Sequence, residues 1–239
     1  MTSTEKSGPF WPVSLILFLI AVLGFWPSFI APGIAGRYEP PTAGMIFHII
    51  SAFAWMGILI VQPVLVSIRQ TGLHRLVGML GGLIALATVA TGLETQIAVL
   101  PLRADGTIID AVITPFFRST GLLVFGGFIA TAIWQRRHTA THKRLMVFGT
   151  LFLLEAPINR ILINIVGVDP EPAGPVTGVS HLVLALAFVS WDRLSHGRFN
   201  RTSLIALLIT ILLTFGIAPF AESMPWRELV ESLGGRTVD

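Results

Sequence analysis

The sequence predicts an all-α membrane bundle of about seven transmembrane helices, on three grounds: an apolar composition, apolar runs long enough to span a bilayer, and connections whose charge alternates. Of 239 residues, 53% are hydrophobic and 12% charged, with a mean hydropathy of +0.78, whereas a soluble domain carries about 25% charged residues. A chain so poor in polar groups cannot cover itself against water. One span takes roughly 20 apolar residues, so a bundle of about seven spans with short connections is expected to use nearly the whole length and to leave little for a separate soluble domain.

Backbone in lipid must satisfy its hydrogen bonds within a helix, so the spans are the apolar runs bounded by Pro, Gly and charges. The first lies near 10–30. Lys6 precedes it as in a signal peptide, but the run is longer than a signal h-region of roughly 7–15 residues and has no clear small-x-small cleavage site, so it reads as a retained span. The second, near 44–67, follows Arg37-Tyr38-Glu39-Pro40-Pro41. The third, near 75–99, opens after the basic segment Arg69 to Arg75. The fourth, near 112–134, runs from the Arg103 to Asp110 connection to the segment Gln135 to Arg144, which carries Arg136, Arg137, Lys143 and Arg144. The fifth, near 144–166, stops before Asp169-Pro170-Glu171-Pro172. The sixth, near 175–191, stops before the basic stretch Arg193 to Arg201, and the seventh lies near 202–220.

Basic and non-basic connections alternate strictly, which places the N-terminus inside and the C-terminus outside. Residues 1–220 thus read as one helical domain. In the tail, 221–239, Trp226, Leu229, Val230 and Leu233 fall at helical spacing, as for a short amphipathic element on the outer interface. The net charge of +3 and isoelectric point near 10.2 come from the basic loops rather than from a nucleic-acid-binding face. With no cysteine, disulfides, thiolate metal sites and cysteine nucleophiles are excluded. Small residues crowd the third span (Gly78, Gly81, Gly82, Ala85) and the fourth (Gly121, Gly126, Gly127, Ala130), where they allow close helix packing.

Ionisable side chains at membrane depth are costly and normally face the bundle interior. An outer level gathers His48, Glu94, Arg118, Glu155, Asn159, Arg160 and His181 into one predicted polar cavity. Glu155 and Asn159 share a helix face at i and i+4. His48, Ser51, Trp55 and Gln62 give the second span a polar stripe turned to the interior. The carboxylates of Glu94 or Glu155 are expected to pair with Arg118 or Arg160, as a network fixing helix register or as part of a site. An inner level holds His74 and His142 at the mouths of the third and fifth spans, with His138 and His196 expected to be solvated in the loops.

The four histidines pair by depth, His48 with His181 and His74 with His142. Two imidazoles at matching depth are what b-type haem needs, with Arg118 or Arg160 available to a propionate. In this arrangement the chain resembles the two-haem transmembrane cytochromes of the ferric reductase type, which carry electrons from ascorbate to ferric iron. It departs from them in the fourth span, which has no histidine and falls between the second and third ligands. The resemblance implies haem b and a redox partner. The segments His74-Arg75-Leu76-Val77-Gly78 and His142-Lys143-Arg144-Leu145-Met146 resemble those of a broad set of bacterial multi-pass proteins, over about Phe47 to Arg160. That resemblance implies a bacterial cytoplasmic (inner) membrane and no particular activity.

The expected function is therefore transmembrane electron transfer through haem. An accessory subunit of a larger membrane complex, or a small-solute carrier binding an anion at Arg118 and Arg160, is the alternative. Pro63 and Pro157, which interrupt the second and fifth spans, suit broken carrier helices. A third class is a metal-dependent intramembrane hydrolase, with zinc held by His48, His181 and Glu94 or Glu155. No Gly-x-Ser-x-Gly elbow or phosphate-binding loop occurs.

Overall fold

The computed structural model describes residues 10–40, 42–103 and 107–235. Lys6, Pro41, Asp105 and the last four residues of the tail lie outside these. In chain order the helices are α1 (Trp11–Ile34), α2 (Ala43–Ser67), α3 (Thr71–Ala98), α4 (Ala111–Trp134), α5 (Thr139–Leu153), α6 (Glu155–Val166), α7 (Pro170–His196), α8 (Arg201–Glu222) and α9 (Met224–Ser232), and among the described residues there is no strand. Six of them, α1 to α4, α7 and α8, are long and apolar enough to cross a membrane, and α5 with α6, a pair bent by 48°, passes the same test together, which gives up to seven crossings. The chain is an integral, multi-pass membrane protein.

The predicted fifth span, 144–166, is thus two helices, and Pro157 is the cause. A proline at position i lacks the N–H for the carbonyl at i−4 and pushes its ring against it. Counting back from Pro157 gives Leu153, where α5 stops. Elsewhere the helices overrun the predicted spans by a few residues because caps close them. The Thr42 hydroxyl accepts the Met45 N–H at 3.3 Å, and the Asn200 side chain accepts the Thr202 N–H at 2.9 Å. Gly167 and Gly197, at φ of 82° and 74°, end α6 and α7 in the left-handed conformation that glycine adopts without strain.

At one end of the bundle, which carries the basic connections, Phe10 packs edge-on against Trp191 at 5.1 Å. At the other end Trp226 of α9 donates its indole N–H to the Val112 carbonyl at 2.9 Å. Phe10 and Trp226 therefore lie at opposite ends, as an odd number of crossings requires with the bent pair counted as one.

The centre belongs to α5, buried on all sides from Val147 to Phe152 and packed among α1, α4, α6, α7 and α8. A helix apolar all round and enclosed is a core helix. Without a hydrophobic force between helices in lipid, close packing has to hold them. A Cβ on Gly149 would come within 2.9 Å of both Ile129 and Phe128, so α4 and α5 meet nearly backbone to backbone. The outward face of α3, with Leu76, Met79, Leu83 and Leu86, is exposed where the acyl chains lie.

Candidate functional site

Polar side chains gather at both ends of the bundle. The end opposite the basic connections is also where the helices lose regularity. Among the described residues the π-helical turns Trp26–Ile30, Ile109–Ile113, Leu162–Val166 and Leu212–Gly216 all lie there. Such turns re-aim side chains and are frequent at functional sites.

Arg160 of α6 organises this end. Its Nε donates to the Ser28 hydroxyl of α1 at 3.1 Å, and its guanidinium lies 5.0 Å from the centre of the Phe25 ring. Anchored at Nε and stacked on an aromatic face, the planar group has a fixed orientation. Among the described residues no hydrogen bond to its two terminal nitrogens is found. The charge of Arg118, on α4, acts on both Arg160 and Glu155. Glu155 lies beside Gly121 of α4, where an added Cβ would stand 3.3 Å from its carboxylate oxygen. Tyr38, in the connection after α1, closes the group. Burial raises its phenol above the ordinary value, and the positive charge of Arg160 works against that rise. Asn159, half-buried, is next to Arg160 on the same helix.

The other residues predicted for this cavity are spread over different interfaces. His48 sits between α2 and α3, where its Nδ1–H donates to the Thr88 carbonyl at 3.1 Å. The ring fills a notch at Gly92, whose added Cβ would come within 2.8 Å of His48 and 2.7 Å of Leu122. Ser51, one turn on, donates to the His48 carbonyl at 2.9 Å. Glu94 is exposed, and its carboxylate lies against Gly44 of α2 at the rim. His181 is buried against α5, its ring 4.7 Å from that of Phe152, with Nε2 unpartnered. Among the described residues no three of His, Cys, Asp and Glu gather in a way that could hold a metal ion.

Trp55 marks the middle of the polar stripe on α2. It is 3% exposed, donates its indole N–H to the Thr150 hydroxyl of α5 at 3.2 Å and meets Phe125 edge-on at 5.3 Å.

At the basic end His142 donates Nδ1–H to the Ala132 carbonyl of α4 at 2.8 Å. Gln62 lies beside Gly78, one turn from His74 on the same face of α3. Both polar atoms of the Gln62 side chain, and Nδ1 of His74, are buried without a partner among the described residues.

The basic end also holds a cluster absent from the predicted sites. Asp192 of α7 receives Arg144 of α5 bidentately, at 2.8 Å from Nε and 2.7 Å from Nη2, and accepts the Ser203 hydroxyl of α8 at 2.8 Å. Arg144 further donates to the Ala140 carbonyl at 2.8 Å. His196, expected to be a solvated loop residue, is instead 1% exposed in its side chain, with Nδ1 3.2 Å from the Asp192 carboxylate. The reason is that α7 runs on to His196 and carries it inside. The Arg144–Asp192 pair, with Ser203, ties three helices together, while His196 donates Nδ1–H to the Asp192 backbone carbonyl at 2.9 Å and keeps a buried Nε2 with no partner among the described residues. The cluster's signal in the sequence was sign: apart from Glu5, Asp192 is the one carboxylate in or beside the basic connections.

Set beside family models, curated proteins and solved structures, the chain matches none.

Proposed function

We propose that this membrane protein is a small-solute carrier that binds a carboxylate or phosphate anion between Arg160 and Arg118. The observation that carries the reading is the state of Arg160: anchored through Nε, stacked on Phe25, and with both terminal nitrogens unclaimed by the described residues. A guanidinium held in this way presents the planar fork that grips carboxylate and phosphate bidentately. Arg118 adds a second positive charge across the interface, beside Glu155. The break at Pro157 lies next to this group, as in carriers whose discontinuous helices border the solute.

The test is counterflow in proteoliposomes with radiolabelled acetate, succinate and inorganic phosphate. At least one should exchange faster than in protein-free vesicles, and Arg160→Gln should slow that exchange by about tenfold or more, the worth of one charge-assisted hydrogen bond. Exchange of none of the three, or an Arg160→Gln variant as fast as the parent, would refute the reading.

A second reading, haem b for electron transfer, is favoured by one feature. The Nδ1–H bonds of His48 and His142 to backbone carbonyls leave each Nε2 lone pair for a ligand, as a metal-bound histidine donates its other ring N–H to a carbonyl. His74 and His142 share one end and suit such a pair, and haem bound there would supply one-electron transfer. His48 and His181 lie in separate interfaces, so this pair would have to open both. An absorption spectrum before and after dithionite decides: reduced α and Soret bands support this reading, and their absence in protein from haem-replete cells removes it.

A further inference from the structure

The polar stripe of α2 continues past Trp55 to the basic end, and what lies there is not explained by packing. Gln62, His74 and His142 come from three helices. Three of their polar atoms, both ends of the Gln62 amide and Nδ1 of His74, are buried with no hydrogen-bond partner among the described residues. In a membrane interior each such atom is costly unless something hydrogen-bonds it, and water is the common solution where the space is polar. Gly78 faces Gln62 with no side chain of its own; a Cβ there would stand at contact distance, 3.5 Å, from the amide nitrogen. On the other side of Trp55 lie Ser51 and His48, leading toward the opposite end. Between the two polar stretches the bundle is closed by the Trp55–Thr150 hydrogen bond and the Phe125 ring.

We propose that Gln62, His74 and His142 line a second, hydrated vestibule that opens at the basic end, and that Trp55, fixed by Thr150, is the barrier between it and the opposite end. Its use as the release side for the anion rests on the carrier reading; its existence does not. Amide and imidazole groups hold a carboxylate less tightly than guanidinium groups do, which suits a release side. The barrier is set by one hydrogen bond between neutral side chains, so it can break and re-form without moving a charge through the bilayer.

The chain contains no cysteine, so each introduced thiol is unique. Gln62→Cys and Ser51→Cys are tested with a charged, membrane-impermeant thiol reagent in sealed vesicles of either orientation. Gln62→Cys should react from the face bearing the basic connections, and Ser51→Cys should not. Adding Trp55→Ala should raise the reactivity of Ser51→Cys from that face by about fivefold or more, the equivalent of one lost hydrogen bond. Thr150→Val, which removes the acceptor and keeps the side-chain volume, provides the same comparison if Trp55→Ala does not fold. An unreactive Gln62→Cys overturns the vestibule, and Ser51→Cys labelling that neither variant changes overturns the barrier. Both outcomes are independent of anion exchange, so failure here and failure of the Arg160 test are told apart.

Discussion

A fully buried charge is tolerated only when every hydrogen-bonding atom on it is matched, and the Asp192 carboxylate meets that condition with Arg144 and Ser203. Asp192→Ala should destabilise the protein by about 3–5 kcal/mol, because it strands the Arg144 guanidinium in the core, whereas Arg144→Met with Asp192→Leu should cost much less. The midpoint of unfolding in mixed detergent–SDS micelles reads both. Tyr38 gives a second check, since it is the only tyrosine of the chain and the tyrosinate difference absorbance reports it alone. Its phenol should ionise above the ordinary value of 10.0, and Arg160→Gln, by removing the charge that opposes the rise, should push it higher still. The folded state thus holds this proton more tightly than the unfolded chain. The stability it contributes is complete below pH 10.0 and is lost as pH rises through the folded value. At this scale the sequence revealed residue types and depth but not partners. Arg118, Glu155 and Arg160 were readable as one level because helical rise fixes depth. His48 and Glu94 share that level yet face α3 and the rim, because rotation about the helix axis depends on neighbours that no spacing rule names.

Among the elements, the break between α5 and α6 matters most, since it places Glu155 and Arg160 on a short helix leaning against α1. The two helices touch at Gly24, where a Cβ would lie 2.6 Å from the Cα of Pro157, a backbone atom that cannot step aside. Gly24→Val should therefore push α6 from α1, lower stability by about 1–3 kcal/mol as overpacking does, and part Arg160 from Ser28. The unfolding midpoint together with the Tyr38 titration measures both effects; a Gly24→Val protein of unchanged midpoint and titration would contradict this packing. Apolar runs and proline punctuation gave the element boundaries to within a few residues, and Pro157 was visible as an interruption. Whether a proline in a span kinks the helix or divides it depends on what packs around it, and Pro63, inside the continuous α2, shows the other outcome.

For the whole molecule, the alternation of loop charge and the placement of Phe10 and Trp226 at opposite ends give one topology. His138→Cys, in the α4–α5 connection, and Ser232→Cys, on α9, should be labelled by an impermeant reagent from opposite faces of sealed vesicles. Labelling of both from one face would break the seven-crossing arrangement. That architecture was legible from composition and run length because lipid allows a spanning chain few alternatives. The use of the interior was not, because the same arginines, carboxylates and imidazoles serve packing, cofactor binding and transport alike. The most direct test of the anion site is the thermal stability of the detergent-purified protein across a titration of acetate, succinate and inorganic phosphate, beside the Arg160→Gln variant. A ligand at a hundred times its dissociation constant stabilises the folded state by about 2.7 kcal/mol. The expected result is a saturable rise in midpoint with at least one of these anions, absent in Arg160→Gln. No rise with any of them, or an equal rise in the variant, would contradict a site built on Arg160.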